Sequence, residues 1–358
     1  MTLFHSLKPG HRVFGGLISA AILAGAWTGL NSAKAAEPEV TLKFHHMLPP
    51  MSTAHRGFIV PWAKKIEEAS NGRIKIKIYP TMQLGGKPPQ LFDQAREGVA
   101  DIVWALQSYT PGRFPVTAAF ELPFMVDQKA EVTSQALHAF INKYAKEEYA
   151  DVVPLAFHAH AGGAFHIRKK PVTTMADLKG MKVRGPTRAI GEALKLMGAT
   201  PLFMPVPQVP VALSKGVMDA TVIPFEVVPP FKIHELVKYH STVDGDRGFY
   251  SSTFMVVMNK KSYNALPADL QKIIDDNSGM AWSKSIGKAF DAGEAPGLKM
   301  AHARKNTFTT VSAEEAARWR KVVQPVADGW VADMNKKGMD GATMLKDANM
   351  LLDKYKEM

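Results

Sequence analysis

The 358-residue chain contains no cysteine. That absence excludes disulfides, zinc–thiolate sites, cysteine nucleophiles and a lipid-modified N-terminal cysteine together. No G-x-S-x-G segment occurs to form a nucleophile elbow. His234-Glu235-Leu236-Val237-Lys238 begins like a zinc-protease helix, but Lys238 stands where the second histidine is needed. Gly85-Gly86-Lys87 lacks the spacing of a phosphate loop. Apart from Arg168-Lys169-Lys170, which has no interleaved aromatics, there is no basic block, so nucleic acid is not an expected partner despite a net charge of +11. Elsewhere lysine and glutamate share helices, as in Lys64-Lys65-Ile66-Glu67-Glu68, which marks solvated surface. No internal repeat and no low-complexity tract is present, which removes solenoid and linker-rich architectures.

What is present begins with the N-terminus. Residues 1–36 carry Lys8, His11 and Arg12, an apolar run from Val13 to Leu30, then Ala33-Lys34-Ala35, with no acidic residue. This is the pattern of a cleaved secretory signal peptide. Gly25 and Gly29 break the run below the about 20 strongly apolar residues that spanning requires. The mature protein is therefore expected to start near Ala36 or Glu37, in the periplasm. Loss of Lys8, Arg12 and Lys34 leaves 41 basic against 33 acidic residues. A mature chain of about 320 residues suggests two lobes rather than one.

Periodicity supplies the elements. Val40 to His46 reads as a strand, Thr53 to Ser70 as an amphipathic helix stopped by Asn71-Gly72, and Arg73 to Tyr79 as a strand alternating Ile and Lys. The chain thus opens β-α-β, the unit of a largely parallel α/β sheet. A helix near Gln90–Glu97 and a strand Asp101–Leu106 follow, then a proline-punctuated loop and a charged surface helix from Glu131 to Tyr149. Strands at Asp151–His160 and Phe165–Arg168 flank Gly162-Gly163, where the chain is expected to cross into the second lobe. There the pattern gives strand Met181–Arg184, helix Ala189–Met197, helix Pro207–Lys215 and strand Asp219–Ile223. The uncharged stretch within Arg247–Asn259 marks a return to the first lobe, and the chain from Pro267 onward is almost all helix. Two crossings describe a clam, with residues 37–161 and 250–289 in one lobe and 162–249 and 290–358 in the other. Its ligand cleft lies at the carboxyl ends of strands.

Arg184 is the leading candidate in that cleft. Gly185-Pro186 turns the chain behind it and Thr187 is placed to cap the next helix, so the guanidinium stands beside an anion-favouring helix start. A bidentate bond to a carboxylate suits it. His45 and His46 point to opposite strand faces, and His46, near the strand end, is the one kept for the cleft. His158 and His160 share a strand face with His166 nearby, but the pattern does not require a metal, and no cofactor is expected.

At this point the sequence resembles the solute-binding proteins of tripartite ATP-independent periplasmic (TRAP) transporters. The resemblance runs from Leu42 to about Met339 through Ser70-Asn71-Gly72-Arg73-Ile74, Gln83-Leu84-Gly85, Gly98-Val99-Ala100-Asp101 and Leu122-Pro123-Phe124. It continues through Pro171, Asp177-Leu178-Lys179-Gly180-Met181-Lys182-Val183-Arg184, Gly198-Ala199-Thr200-Pro201, Ala212-Leu213 and Gly216-Val217-Met218-Asp219. The resemblance implies a two-lobed periplasmic binding protein fold with a long helix spanning both lobes. It implies an arginine at Arg184 that pairs with an organic acid, and delivery of that acid to the membrane permease subunits. Competing readings are a same-fold receptor for a sensor kinase and an exported enzyme acting on a carboxylic acid; a monomer that does not catalyse is expected.

Departures from the family narrow the ligand. Where sugar-acid binders of the family carry an arginine, an acid and an amide, this chain has Ala164, Leu106 and Ile223, and the usual helix-heading glutamate is Gln208. A pocket built for hydroxyl-rich acids would not lose all of these. The expected ligand is a monocarboxylate with an apolar or aromatic body, surrounded by Trp104, Phe165, Phe203, Phe225, Phe249 and His46.

Overall fold

The computed structural model describes residues 37–358; the expected signal peptide lies outside the described residues. Strand β1 (Val40–His46) leads into a helix whose first six residues, Ala54–Ile59, are π-helical before α1 (Val60–Ala69). Asn71 and Gly72 stop it in the left-handed region, at φ 51° and 78°. β2 (Ile74–Tyr79) pairs parallel to β1 and buries Ile74 and Ile76 while Lys75 and Lys77 stay wet, the alternation of an edge strand. α2 (Leu91–Glu97), β3 (Ile102–Leu106) and a short β4 (Val126–Asp127) follow.

α3 spans Ala130–Tyr144 and corrects the reading of a charged surface helix. Ten of its residues are buried, because neighbouring helices cover it while β5 (Val152–Ala159) packs beneath. β6 (Ala164–Ile167), α4 (Met175–Leu178), β7 (Lys182–Arg184), α5 (Arg188–Leu196), β8 (Thr200–Leu202), α6 (Val209–Ser214), β9 (Ala220–Ile223), α7 (Ile233–Leu236) and β10 (Tyr239–Val243) build the second lobe. The short β11 (Arg247–Gly248) precedes β12 (Thr253–Asn259). The remainder is α8 (Lys260–Asn264), α9 (Ala268–Asp276), the 25-residue α10 (Gly279–Ala303), β13 (Thr307–Val311), α11 (Ala313–Lys336) and α12 (Gly341–Lys356).

The first sheet runs β2-β1-β3-β12-β5 and the second β13-β10-β6-β9-β7-β8. The chain changes sheet between β5 and β6 and again between β10 and β12, as the periodicity suggests, and a third time through α10 on the way to β13. This is the two-lobed fold. Among the described residues no helix is long and apolar enough to cross a membrane.

Two features tie the lobes at the crossings. Asp291 and Glu294, on one turn of α10, each cap a different lobe. Asp291 accepts from Ala130 and Glu131 N–H at 2.7 and 3.0 Å, and Glu294 from Phe225 and Glu226 N–H at 3.1 and 2.9 Å. The first two crossing segments also touch. A Cβ on Gly248 would stand 2.9 Å from Gly162 Cα, and one on Gly163 would stand 1.7 Å from the Tyr250 ring. Close packing is what these glycines provide: none of the three has positive φ.

Candidate functional site

Where the carboxyl ends of β1, β3, β7 and β9 meet, a small cavity admits the centre of a water-sized sphere over about 30 Å³. Met47, Leu48, Trp104, Leu106, Tyr109, His160 and Phe254 wall it on one side; Arg184, Pro186, Val206, Ile223, Pro224, Glu226 and Val227 wall it on the other. Tyr250 and Ser252, from the second crossing, complete it.

Arg184 is 1% exposed, at the last position of β7. Its Nε donates to the Met204 carbonyl at 3.0 Å, Nη1 to the Val222 carbonyl at 3.3 Å and Nη2 to the Tyr109 hydroxyl at 3.3 Å. All three acceptors are neutral, and among the described residues no carboxylate forms an ion pair with it. Of its five N–H groups two stay free, one on each terminal nitrogen, the pair that a carboxylate takes in a bidentate bond. A buried guanidinium without a counter-charge is costly, so the arrangement favours an anionic occupant. Thr187 accepts from Ile190 N–H at 3.2 Å and caps α5, as its position suggests.

Tyr109 closes the cavity from the first lobe. Its hydroxyl accepts from Val206 N–H at 2.8 Å as well as from Arg184, which leaves its own hydrogen to donate to the occupant. Burial raises its pKa, so the hydroxyl stays protonated despite Arg184. Tyr250 donates to the same Val222 carbonyl at 3.0 Å, and burial holds it well above the usual tyrosine value.

The aromatic wall is neutral. Trp104 Nε1 donates to His158 Nε2 at 2.7 Å, and His158 Nδ1 donates to the Ala159 carbonyl at 3.2 Å, so this imidazole has no free nitrogen. Burial pushes it down to about 3. Phe254 stacks on both partners, 4.9 Å from each with planes within 9°. His160 is likewise committed, donating from Nδ1 to the Ala161 carbonyl at 2.6 Å and accepting Ser252 N–H at Nε2 at 3.0 Å. Burial, and to a smaller extent the charge of Arg184, hold it at about 4. His166 pairs with His240 and the Ile223 carbonyl instead of joining them. Among the described residues no three potential metal ligands gather.

Of the residues singled out in the sequence, Arg184 and Trp104 line the cavity and five do not. His46 is buried behind Trp104, its rings 6.4 Å apart, and bonds His55. Phe225 turns toward His166, His240 and Phe308. Phe165 and Phe249 stack together against Trp319. Phe203 is 59% exposed and covers Gly191. Leu106 and Ile223, the apolar substitutes, do line the cavity, whereas Ala164 faces a different groove. Tyr109, Tyr250, Phe254 and Glu226 were not singled out. An aromatic within three residues of a strand's carboxyl end was the available signal for Tyr109.

Two wider grooves of about 590 and 640 Å³ lie elsewhere, one along Lys129, Lys288, Asp291 and Glu294, the other along Phe114, Arg188, Asp333 and Trp330. Both mix charges of both signs. The Arg184 cavity is the one with an uncompensated buried charge.

The model of the bacterial extracellular solute-binding protein family 7 matches residues 44–333. The chain belongs to the TRAP solute-binding proteins. This TRAP solute-binding protein is 45% identical to one from Rhodoferax ferrireducens T118 solved with copurified benzoate. That match has a TM-score of 0.86 and covers 88% of this chain and 98% of the other. It is 46% identical, with the same TM-score and coverage of 89% and 99%, to a marine metagenome TRAP solute-binding protein specific for aromatic acid ligands, solved with 3-hydroxybenzoate. Against the C4-dicarboxylate-binding periplasmic protein DctP of Rhodobacter capsulatus identity is 27%, over 88% of this chain and 93% of that protein.

Proposed function

We propose that this binding protein captures an aromatic monocarboxylate in the periplasm and hands it to the membrane subunits of its transporter. Arg184 holds the carboxylate and Tyr109 donates a third bond to it, while Trp104 and Phe254 receive the ring. The single observation that carries this reading is the buried guanidinium with one free N–H on each terminal nitrogen and only neutral partners. A sugar acid would find Leu106, Ile223 and Val227 where its hydroxyls need partners. A C4 diacid would bring a second carboxylate to a cavity whose lining holds one cation.

The reading is of binding without turnover, because the imidazole in the cavity lining has both nitrogens committed. A single chain completes the cavity, in keeping with a monomer, and residues 1–36 act as the export signal. Residues 37–161 with 250–289 and the C-terminal α12, which packs on α3, form one lobe, and residues 162–249 with 290–340 form the other.

A thermal-shift screen of benzoate, hydroxybenzoates, phenylacetates, uronates and C4 diacids tests the ligand class, since a native-state ligand raises the melting temperature with the logarithm of its concentration over Kd. Stabilisation by aromatic monocarboxylates alone is expected. Stabilisation by uronates or diacids alone overturns the ligand assignment, and chemical conversion of a bound acid overturns the non-catalytic one.

A further inference from the structure

Among the side chains lining the cavity, one fully buried polar atom has no partner within the protein. Glu226 follows β9 on the turn Phe225–Val227, is 3% exposed and lines the cavity. Its Oε2 is buried and has no hydrogen-bond partner. It makes no ion pair with Arg184, so the guanidinium does not satisfy it. The backbone on which it sits is fixed, its N–H donating to Glu294 Oε1 at 2.9 Å. Leaving a buried carboxyl oxygen unpaired costs free energy, and an occupant with a donor at that place recovers it.

We propose that Glu226 selects the ring substituent: its Oε2 accepts a hydrogen bond from a hydroxyl on the aromatic acid whose carboxylate Arg184 holds. This rests on the reading of Arg184 as the carboxylate anchor. Geometry limits the donor to a neutral group, because Leu106, Ile223 and Val227 line the same cavity and Arg184 supplies its one positive charge. Burial and the neighbouring Glu294 push Glu226 up to about 8, while Thr53 beside it acts in the opposite sense. At neutral pH it therefore adds little negative charge to repel the ligand's carboxylate. A ring without a hydroxyl leaves Oε2 unpaired and binds less tightly for that reason.

Calorimetry of wild type, E226Q and E226L with benzoate, 3-hydroxybenzoate, 4-hydroxybenzoate and 3-hydroxyphenylacetate tests it. Wild type is expected to bind at least one hydroxylated acid about tenfold or more tighter than benzoate. E226Q, which keeps an acceptor, retains most of that preference. E226L loses it and binds benzoate at least as tightly as wild type. A preference that survives in E226L, or a wild type that binds benzoate with no preference at all, overturns the role of Glu226 and leaves the Arg184 reading standing. Failure to bind any aromatic acid overturns both. Should E226L not fold, a crystal structure of wild type with the preferred acid decides: a hydroxyl oxygen within about 3.2 Å of the Glu226 carboxyl supports the proposal, and one bonded elsewhere overturns it.

Discussion

The two walls of the cavity divide the work between them. On the first-lobe side Trp104 and Phe254, backed by His158, form a stacked, uncharged surface in which each polar ring atom is spent on the protein. On the second-lobe side stand Arg184 and Glu226, whose polar atoms are not fully spent. The first wall accepts a flat apolar body and discriminates little among such bodies. The second sets which acid is held. Shape tolerance and chemical choice are thus placed in different lobes, and Tyr109, just past the end of β3, bridges them through Arg184 and Val206.

The sharpest way to break this division is Arg184→Met. Affinity for an aromatic acid is expected to fall about 100-fold or more by calorimetry, since one member of a buried charge pair is removed. The empty protein should melt no lower than wild type, because the variant also removes an uncompensated buried charge. A loss below about tenfold would separate Arg184 from the ligand. Next, Phe254→Leu should weaken aromatic acids about 5- to 10-fold through lost stacking, and leave branched aliphatic acids nearly unchanged. Equal loss for both classes would mean that Phe254 only supports the wall. Tyr109→Phe should cost roughly 3- to 10-fold, the net worth of one ordinary hydrogen bond. Its small-angle scattering profile with subsaturating ligand should resemble the more open, empty form; identical profiles would place its contribution elsewhere.

The smallest expected effect concerns stability and pH. Glu226 is held at about 8 in the folded protein against an ordinary value of 4.5, so the folded state binds more protons than the unfolded state between these values. The stabilisation this brings is complete below the unfolded value and is lost as pH rises toward 8. The melting temperature of wild type should therefore drop relative to that of E226Q by a few degrees between pH 5 and about 8.5. A constant difference across that range would show that Glu226 keeps its ordinary pKa.

Much of the framework was legible because its signals are local. The Ile/Lys alternation of β2 names an edge strand without any neighbour's help, and Asn71-Gly72 marks a stop in any context. Arg184 was legible through the turn and cap that follow it. Helix α3 was misread because Glu131 and Lys143 suggest a wet surface, and only α10 and α12, more than a hundred residues later, cover it. The aromatics near the cavity failed by one position. Pro224 and Glu226 line the cavity while Phe225 between them faces the opposite way. Tyr109 and Tyr250 owe their roles to carbonyls and amides that tertiary packing brings to their hydroxyls, and nothing in the local pattern announces those.

The pair of caps on α10 has a mechanical consequence. Asp291 and Glu294 are three residues apart, so the points at which the helix grips the two lobes are separated by only ~4.5 Å along its axis. A cavity of about 30 Å³ admits an aromatic acid only if the lobes part, and a joint this short makes that motion a rotation about a fulcrum instead of a slide. Displacement then grows with distance from the joint. Glu226, bonded through its own backbone N–H to Glu294, sits at the fulcrum and travels least. An arriving acid thus meets a nearly stationary gauge for its ring.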